Sequence, residues 1–167
     1  LTTKWDNAIG NARVSEFEIT DNPKNAAGDL PVLNTGKDTG VEILADRLQV
    51  LLNDGFGAAT VTNADVFANP DNYYILNYWK LDHYLDPGHI PGAVQYTPGS
   101  DLMLEAALKT LPTDKEIVVY CYTGQTSALT TAYLRTLGYN AKSLLFGTNA
   151  MIYDPMVAKE MTVWNEA

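Results

Sequence analysis

One residue in this chain of 167 carries a nucleophilic sulfur, Cys121. It closes an apolar, β-branched run (Ile117, Val118, Val119, Tyr120) and opens a polar loop with one glycine: Tyr122, Thr123, Gly124, Gln125. A helical pattern follows, with Ala128, Leu129, Ala132, Tyr133, Leu134 and Leu137 as its apolar positions. A thiol at that junction sits beside backbone N–H groups that have no partner within the helix. Those groups and the helix dipole attract an anion. A sulfur so placed is favoured as thiolate, the form that attacks electrophiles.

The chemistry this pattern predicts is nucleophilic catalysis by Cys121, cradled by the N–H groups of residues 122–127. Gly124 lets the backbone curl so that several N–H groups converge. Thr123, Thr126 and Ser127 supply hydroxyl donors for sulfur or substrate. Thr126 and Ser127 have an equal claim to starting the helix. Tyr122 and Gln125 are expected to face outward and shape the mouth of the pocket, with Trp79 as a wall. The competing reading of Cys121 is a buried structural thiol, which leaves the glycine loop and helix start behind it unexplained. His89 is assigned to bracing the loop between Gly88 and Pro91 by hydrogen bonds, and His83 to an exposed turn without a role. Tyr73, Tyr74, Tyr78 and Trp79 read as core and rim.

The elements that must position this device are legible in outline. Residues 1–40 lack a sustained period and are rich in Gly, Pro, Asn and Asp, so they read as an irregular arm packed on the domain through Trp5, Val14, Phe17 and Ile19. Residues 41–53 read as a helix with Val41, Leu44, Leu48, Leu51 and Leu52 on one face. Thr62 caps a short helix over 63–68, and Tyr73, Tyr74, Ile75 and Leu76 make a buried strand. Residues 82–88 read as loop, 93–96 as a short strand, and 100–108 as a helix. The strand ending at Cys121 and its helix come next, with Gly138 at the C-cap. A last strand over 141–146 breaks at Gly147, and a terminal helix packs through Met151, Ile152, Met156, Val157 and Trp164. Strands and helices in alternation, joined by short connections, predict an α/β fold with a parallel sheet between two helical layers. Residues 41–167 form that domain. Such sheets bind ligands beyond the carboxyl ends of their strands, where Cys121 lies.

Composition narrows the partners. The hydrophobic fraction of 46% supports a core without staples. A net charge of −9 argues against nucleic acid and anionic membrane as partners. The sequence has no apolar run long enough to span a membrane. One cysteine and two histidines predict no disulfide, no metal site and no cofactor. The chain begins at Leu1, and its Asn-, Thr-, Tyr- and Asp-rich composition suits an exported bacterial protein. A periplasmic or exported location is expected over a cytoplasmic one.

Two separated stretches resemble one family. DPGHIPGAVQYTP (residues 86–98) is similar to the segment that closes the first half of a rhodanese domain. IVVYCYTGQTSA (117–128) with YLRTLGY (133–139) is similar to that family's active-site strand, loop and helix, and SLLFGTNAMI (143–152) to its last strand and glycine turn. The resemblance covers roughly residues 60–167. It implies a sulfurtransferase: the cysteine takes a sulfane sulfur from a small donor, becomes a persulfide, and passes the sulfur to a nucleophilic acceptor. With no second cysteine, that acceptor is external, such as a small thiol, cyanide or a partner protein's cysteine.

The sequence also departs from the family. Where many members carry Asp-x-Arg, this chain has Asn77, Tyr78 and Trp79, and its loop CYTGQT holds no Arg or Lys. A dianion such as thiosulfate gains much from a fixed cation, so weak thiosulfate activity is expected and a persulfide or polysulfide donor fits better. The same departures keep open a non-catalytic rhodanese-like binding or sulfur-carrier module. A cysteine-dependent phosphatase is the remote alternative, because position 127 is Ser where a phosphatase loop has its arginine.

Overall fold

The computed structural model describes residues 7–165; Trp5, expected to pack the arm, lies outside them. Five parallel strands form one sheet in the order β1-β5-β4-β2-β3. They are β1 (Thr60–Val61), β2 (Tyr73–Asn77), β3 (Val94–Gln95), β4 (Glu116–Tyr120) and β5 (Ala141–Leu144). The helices are α1 (Gly40–Asp54), α2 (Asn63–Ala68), α3 (Leu81–Leu85), α4 (Gln125–Thr136) and α5 (Asn149–Ala158). The expected α/β architecture with an irregular N-terminal part is what the chain forms.

β4 is central because its side chains serve both faces. Ile117 and Val119 pack with Leu134 of α4, Leu108 and Tyr139; Val118 and Tyr120 pack with Val66 of α2 and with Met151 and Met156 of α5. That alternation is the period of a strand buried on both sides. β2 runs beside it in register, Tyr73 against Glu116 and Asn77 against Tyr120, so Asn77, Tyr78 and Trp79 leave the sheet next to Cys121. Each fully buried valine or isoleucine here contributes about 1.5–3 kcal/mol.

Several elements differ from expectation. Residues 100–107 are turns, with only a 3-10 turn at Leu108–Thr110. Asp101 accepts from the Thr97 N–H (3.0 Å) and the Ser100 hydroxyl (3.1 Å) and pairs with Lys24 (3.2 Å). Such local side-chain bonds compete with helix formation. The loop expected over residues 82–88 instead begins inside α3 (Leu81–Leu85). α1 is rotated from the expected face: Val41, Leu44, Leu48 and Leu52 are exposed, while Ile43, Arg47 and Leu51 are half-buried. Arg47 fixes that rotation by donating to the carbonyls of Arg135 (2.6 Å) and Thr136 (3.3 Å) at the end of α4, where carbonyls lack helical partners.

The arm is held mainly by polar contacts. Val14 and Ile19, expected to pack, are exposed; Phe17 stacks on Phe67. Glu18 and His89 exchange backbone hydrogen bonds at 2.9 and 2.8 Å, and Gly10 donates to the Asn149 carbonyl (2.9 Å). Pro31 and Leu33 lie over Gly138, where an added Cβ would come within 2.9 Å of Pro31.

Candidate active site

The sulfur of Cys121 stands at the carboxyl end of β4 and accepts a hydrogen bond from the Ser127 N–H at 3.2 Å. Ser127 is the third residue of α4, so its N–H is one of the four that a helix leaves open. A capping oxygen takes that place in other helices. Gly124 precedes α4 with φ +90° and no side-chain cap. A Cβ there would add strain and approach the Phe146 N at 3.2 Å.

What aims the loop is a second segment that the sequence reading reduced to a glycine break. The Cys121 carbonyl accepts from the Thr148 N–H (3.1 Å) and the Thr148 hydroxyl (2.8 Å). The Tyr122 carbonyl accepts from the Asn149 N–H (3.1 Å) and Nδ2 (2.6 Å). In a planar trans peptide the N–H points opposite the C=O. Anchoring these two carbonyls therefore aims the Tyr122 and Thr123 N–H groups to the other side. Gly147 packs against the Cys121 carbonyl, leaving no room for a Cβ. Asn149 is fully buried, and its Oδ1 accepts from the Trp164 N–H at 2.8 Å. The signal was present in the sequence: Thr148 and Asn149 open an apolar helical run, the habit of capping residues.

The hydroxyls do not act as expected. Ser127 Oγ is turned to the Gly124 carbonyl (3.0 Å) and to Ser143 Oγ (2.9 Å), so of Ser127 only the backbone meets the sulfur. Thr126 is exposed, and both residues lie inside α4, so neither caps it. Thr123 is buried and donates to Gln125 Oε1 at 3.3 Å; Gln125 is exposed.

Tyr122 does not face outward. It is half-buried, its ring stacked on Trp79 with centroids 4.9 Å apart and planes 8° apart. Its hydroxyl lies 2.7 Å from Nδ1 of His83, the residue assigned no role. Burial, opposed by the Lys80 backbone N–H and assisted by the charges of Asp82 and Cys121, pushes the Tyr122 phenol up to about 12. Trp79 is fully buried, and its Nε1 has no hydrogen-bond partner among the described residues. His89 has a bracing role wider than one loop. It is fully buried, stacked on Tyr84 at 3.7 Å, with Nε2 at 2.7 Å from the Thr20 carbonyl and Nδ1 at 3.0 Å from that of Ile90.

Cys121 itself is 1% exposed. Cavities of about 380 and 250 Å³ flank α4, and Cys121 lines neither. Among the described residues no group of three His, Cys, Asp or Glu is placed to hold a metal ion, and no helix is long and apolar enough to cross a membrane.

Residues 68–152 match the family model of the rhodanese-like domain. Similar solved structures include a rhodanese-related protein from Thermoplasma volcanium, 24% identical, with 64% of this chain and 98% of that one covered and a TM-score of 0.48. Reduced Bacillus anthracis CoADR-RHD is 23% identical over 63% of this chain, with a TM-score of 0.49. A NAD-dependent persulfide reductase from A. fulgidus is 24% identical over 65% of this chain, with a TM-score of 0.45. The match spans 18% of each of the latter two proteins. No curated protein gives a significant match.

Proposed function

This chain belongs to the rhodanese-like domain family, and on that premise we propose that it is a sulfurtransferase working through a persulfide on Cys121. The observation that carries the reading is the 3.2 Å hydrogen bond from the Ser127 N–H to the Cys121 sulfur at the start of α4. An N–H donated to Sγ stabilises the negative charge that this sulfur carries when it attacks the donor and again when it leaves the acceptor's persulfide.

In the first half-reaction the Cys121 thiolate attacks the outer sulfur of a donor R–S–SH. The Sγ–S bond forms, the donor's S–S bond breaks, and R–S⁻ leaves with the bonding pair. In the second, an acceptor thiolate attacks the same outer sulfur and Cys121 leaves as thiolate. No net oxidation or reduction occurs, and neither half requires a cofactor. Thr148 and Asn149 act as positioning residues, since they hold the Cys121 and Tyr122 carbonyls and so fix the loop that carries the sulfur. The loop provides dipoles and no fixed cation, which favours donors of low charge.

The test is transfer itself. The protein is loaded with an organic persulfide, freed of donor, and mixed with a small thiol. Appearance of the acceptor's persulfide in one equivalent, absent with Cys121→Ser, supports the reading; no acceptor persulfide from a loaded protein overturns it. A binding module without turnover is the second reading, favoured by the 1% exposure of Cys121.

A further inference from the structure

A nucleophile must meet its donor and then its acceptor, yet Cys121 is 1% exposed. The loop backbone around it is pinned. Thr148 and Asn149 each place two hydrogen bonds on it, and Gly147 packs behind it. The Tyr122 side chain is held by side-chain contacts instead. It packs against the buried cluster that contains Cys121. Three contacts from outside the loop hold it there: the face of Trp79, Nδ1 of His83 at 2.7 Å from its hydroxyl, and the Lys80 backbone N–H toward the same hydroxyl. His83 belongs to α3, a five-residue helix without a side-chain cap, where Leu81 is 47% exposed.

We propose that the Tyr122 side chain is a lid over the Cys121 sulfur, latched by its hydrogen bond to His83, and that releasing this latch admits donor and acceptor. His83 is thus a positioning residue acting through Tyr122. The face of Trp79 and the ring of His83 are both side-chain surfaces, so the ring can leave them without breaking a backbone hydrogen bond of the loop. What the lid admits rests on the sulfurtransferase reading; the lid itself is a statement about thiol access.

The test is a double-mutant cycle on the whole chain, reading the alkylation rate of Cys121 by intact mass with a small reagent, iodoacetamide, and a bulky maleimide. Tyr122→Phe keeps the ring and removes the hydroxyl; His83→Ala removes its partner. Each is expected to speed alkylation by about tenfold, the size of one hydrogen bond, with a larger gain for the bulky reagent. The double variant should be no faster than the faster single, because both break the same bond. Tyr122→Ala, which removes the lid, should be faster still. Single variants within about twofold of the parent, additive effects in the double variant, or equal gains for both reagents would overturn the lid. Alkylation uses no sulfur donor, so its outcome stands apart from whether Cys121 persulfidates.

Discussion

The Ser127 N–H lies 3.2 Å from the Cys121 sulfur, so the thiol takes the place of a capping side chain at the start of α4. Five residues separate the two in sequence, and the turn through Gly124 at φ +90° brings them together. The nucleophile is consequently part of the helix terminus, and its electrostatic setting depends on whatever fixes the loop.

The fixing residues give the first prediction. Thr148→Val keeps the shape of the side chain and removes the hydroxyl that donates to the Cys121 carbonyl. Its persulfidation rate should fall between about 10- and 100-fold, the scale of a small misalignment at a reacting centre. Thr148→Ser should restore most of the rate. Asn149→Ala, which empties a fully buried hub, should also lower stability by about 2–3 kcal/mol in a denaturant titration.

Donor preference gives the second. The segment CYTGQTS contains no cation. Thiosulfate should give a kcat/KM at least about 100-fold below that of an organic persulfide, since a missing charged donor costs on that scale. Gln125→Lys places an ammonium on the exposed first residue of α4. It should raise thiosulfate turnover about tenfold and leave persulfide turnover within about twofold. Equal turnover with both donors in the parent protein would contradict the argument.

Alkaline stability gives the third. Burial raises the phenols of Tyr74, Tyr96 and Tyr120, and that of Tyr122 to about 12. Each keeps its proton in the fold at a pH where the unfolded chain has lost it. The unfolded state then binds fewer protons, so stability is intact below about pH 10 and falls as pH rises from there toward the folded values. Near pH 10.5 the folded protein should show less tyrosinate absorbance than the unfolded chain, and the remainder should rise together with loss of the far-ultraviolet signal. Tyr122→Phe should make the fall in melting temperature between pH 10 and 12 shallower.

The α1 contact gives the fourth. Arg47 donates to the last carbonyls of α4. Arg47→Ala should cost about 1 kcal/mol of stability in urea. It should leave persulfidation unchanged, because it acts at the far end of the helix from Cys121.

How much of this was legible follows from where the information sits. The strand, thiol, glycine loop and helix are contiguous, and their apolar periods and Gly124 mark them. The parallel sheet follows from the alternation of elements. The face of α1 was misassigned because periodicity counts apolar residues, and Arg47 turns inward to reach carbonyls contributed by α4. The helix expected over residues 100–108 had the right apolar spacing, but Asp101 binds the backbone of its own turn. Tyr122 folds back onto Trp79 and His83, and those residues lie about 40 positions earlier in the chain. No local pattern reports such a contact. Gly147 was read only as the break after the last strand, and the hold of Thr148 and Asn149 on the loop came only with the fold.

The central claim, that Cys121 carries a sulfane sulfur, is tested most directly by intact mass after incubation with an organic persulfide or polysulfide. The expected result is a gain of about 32 Da, the mass of one sulfur, on the parent protein, reversed by a thiol and absent in Cys121→Ser. A parent protein that gains no sulfur from any such donor while Cys121 remains alkylatable would contradict it.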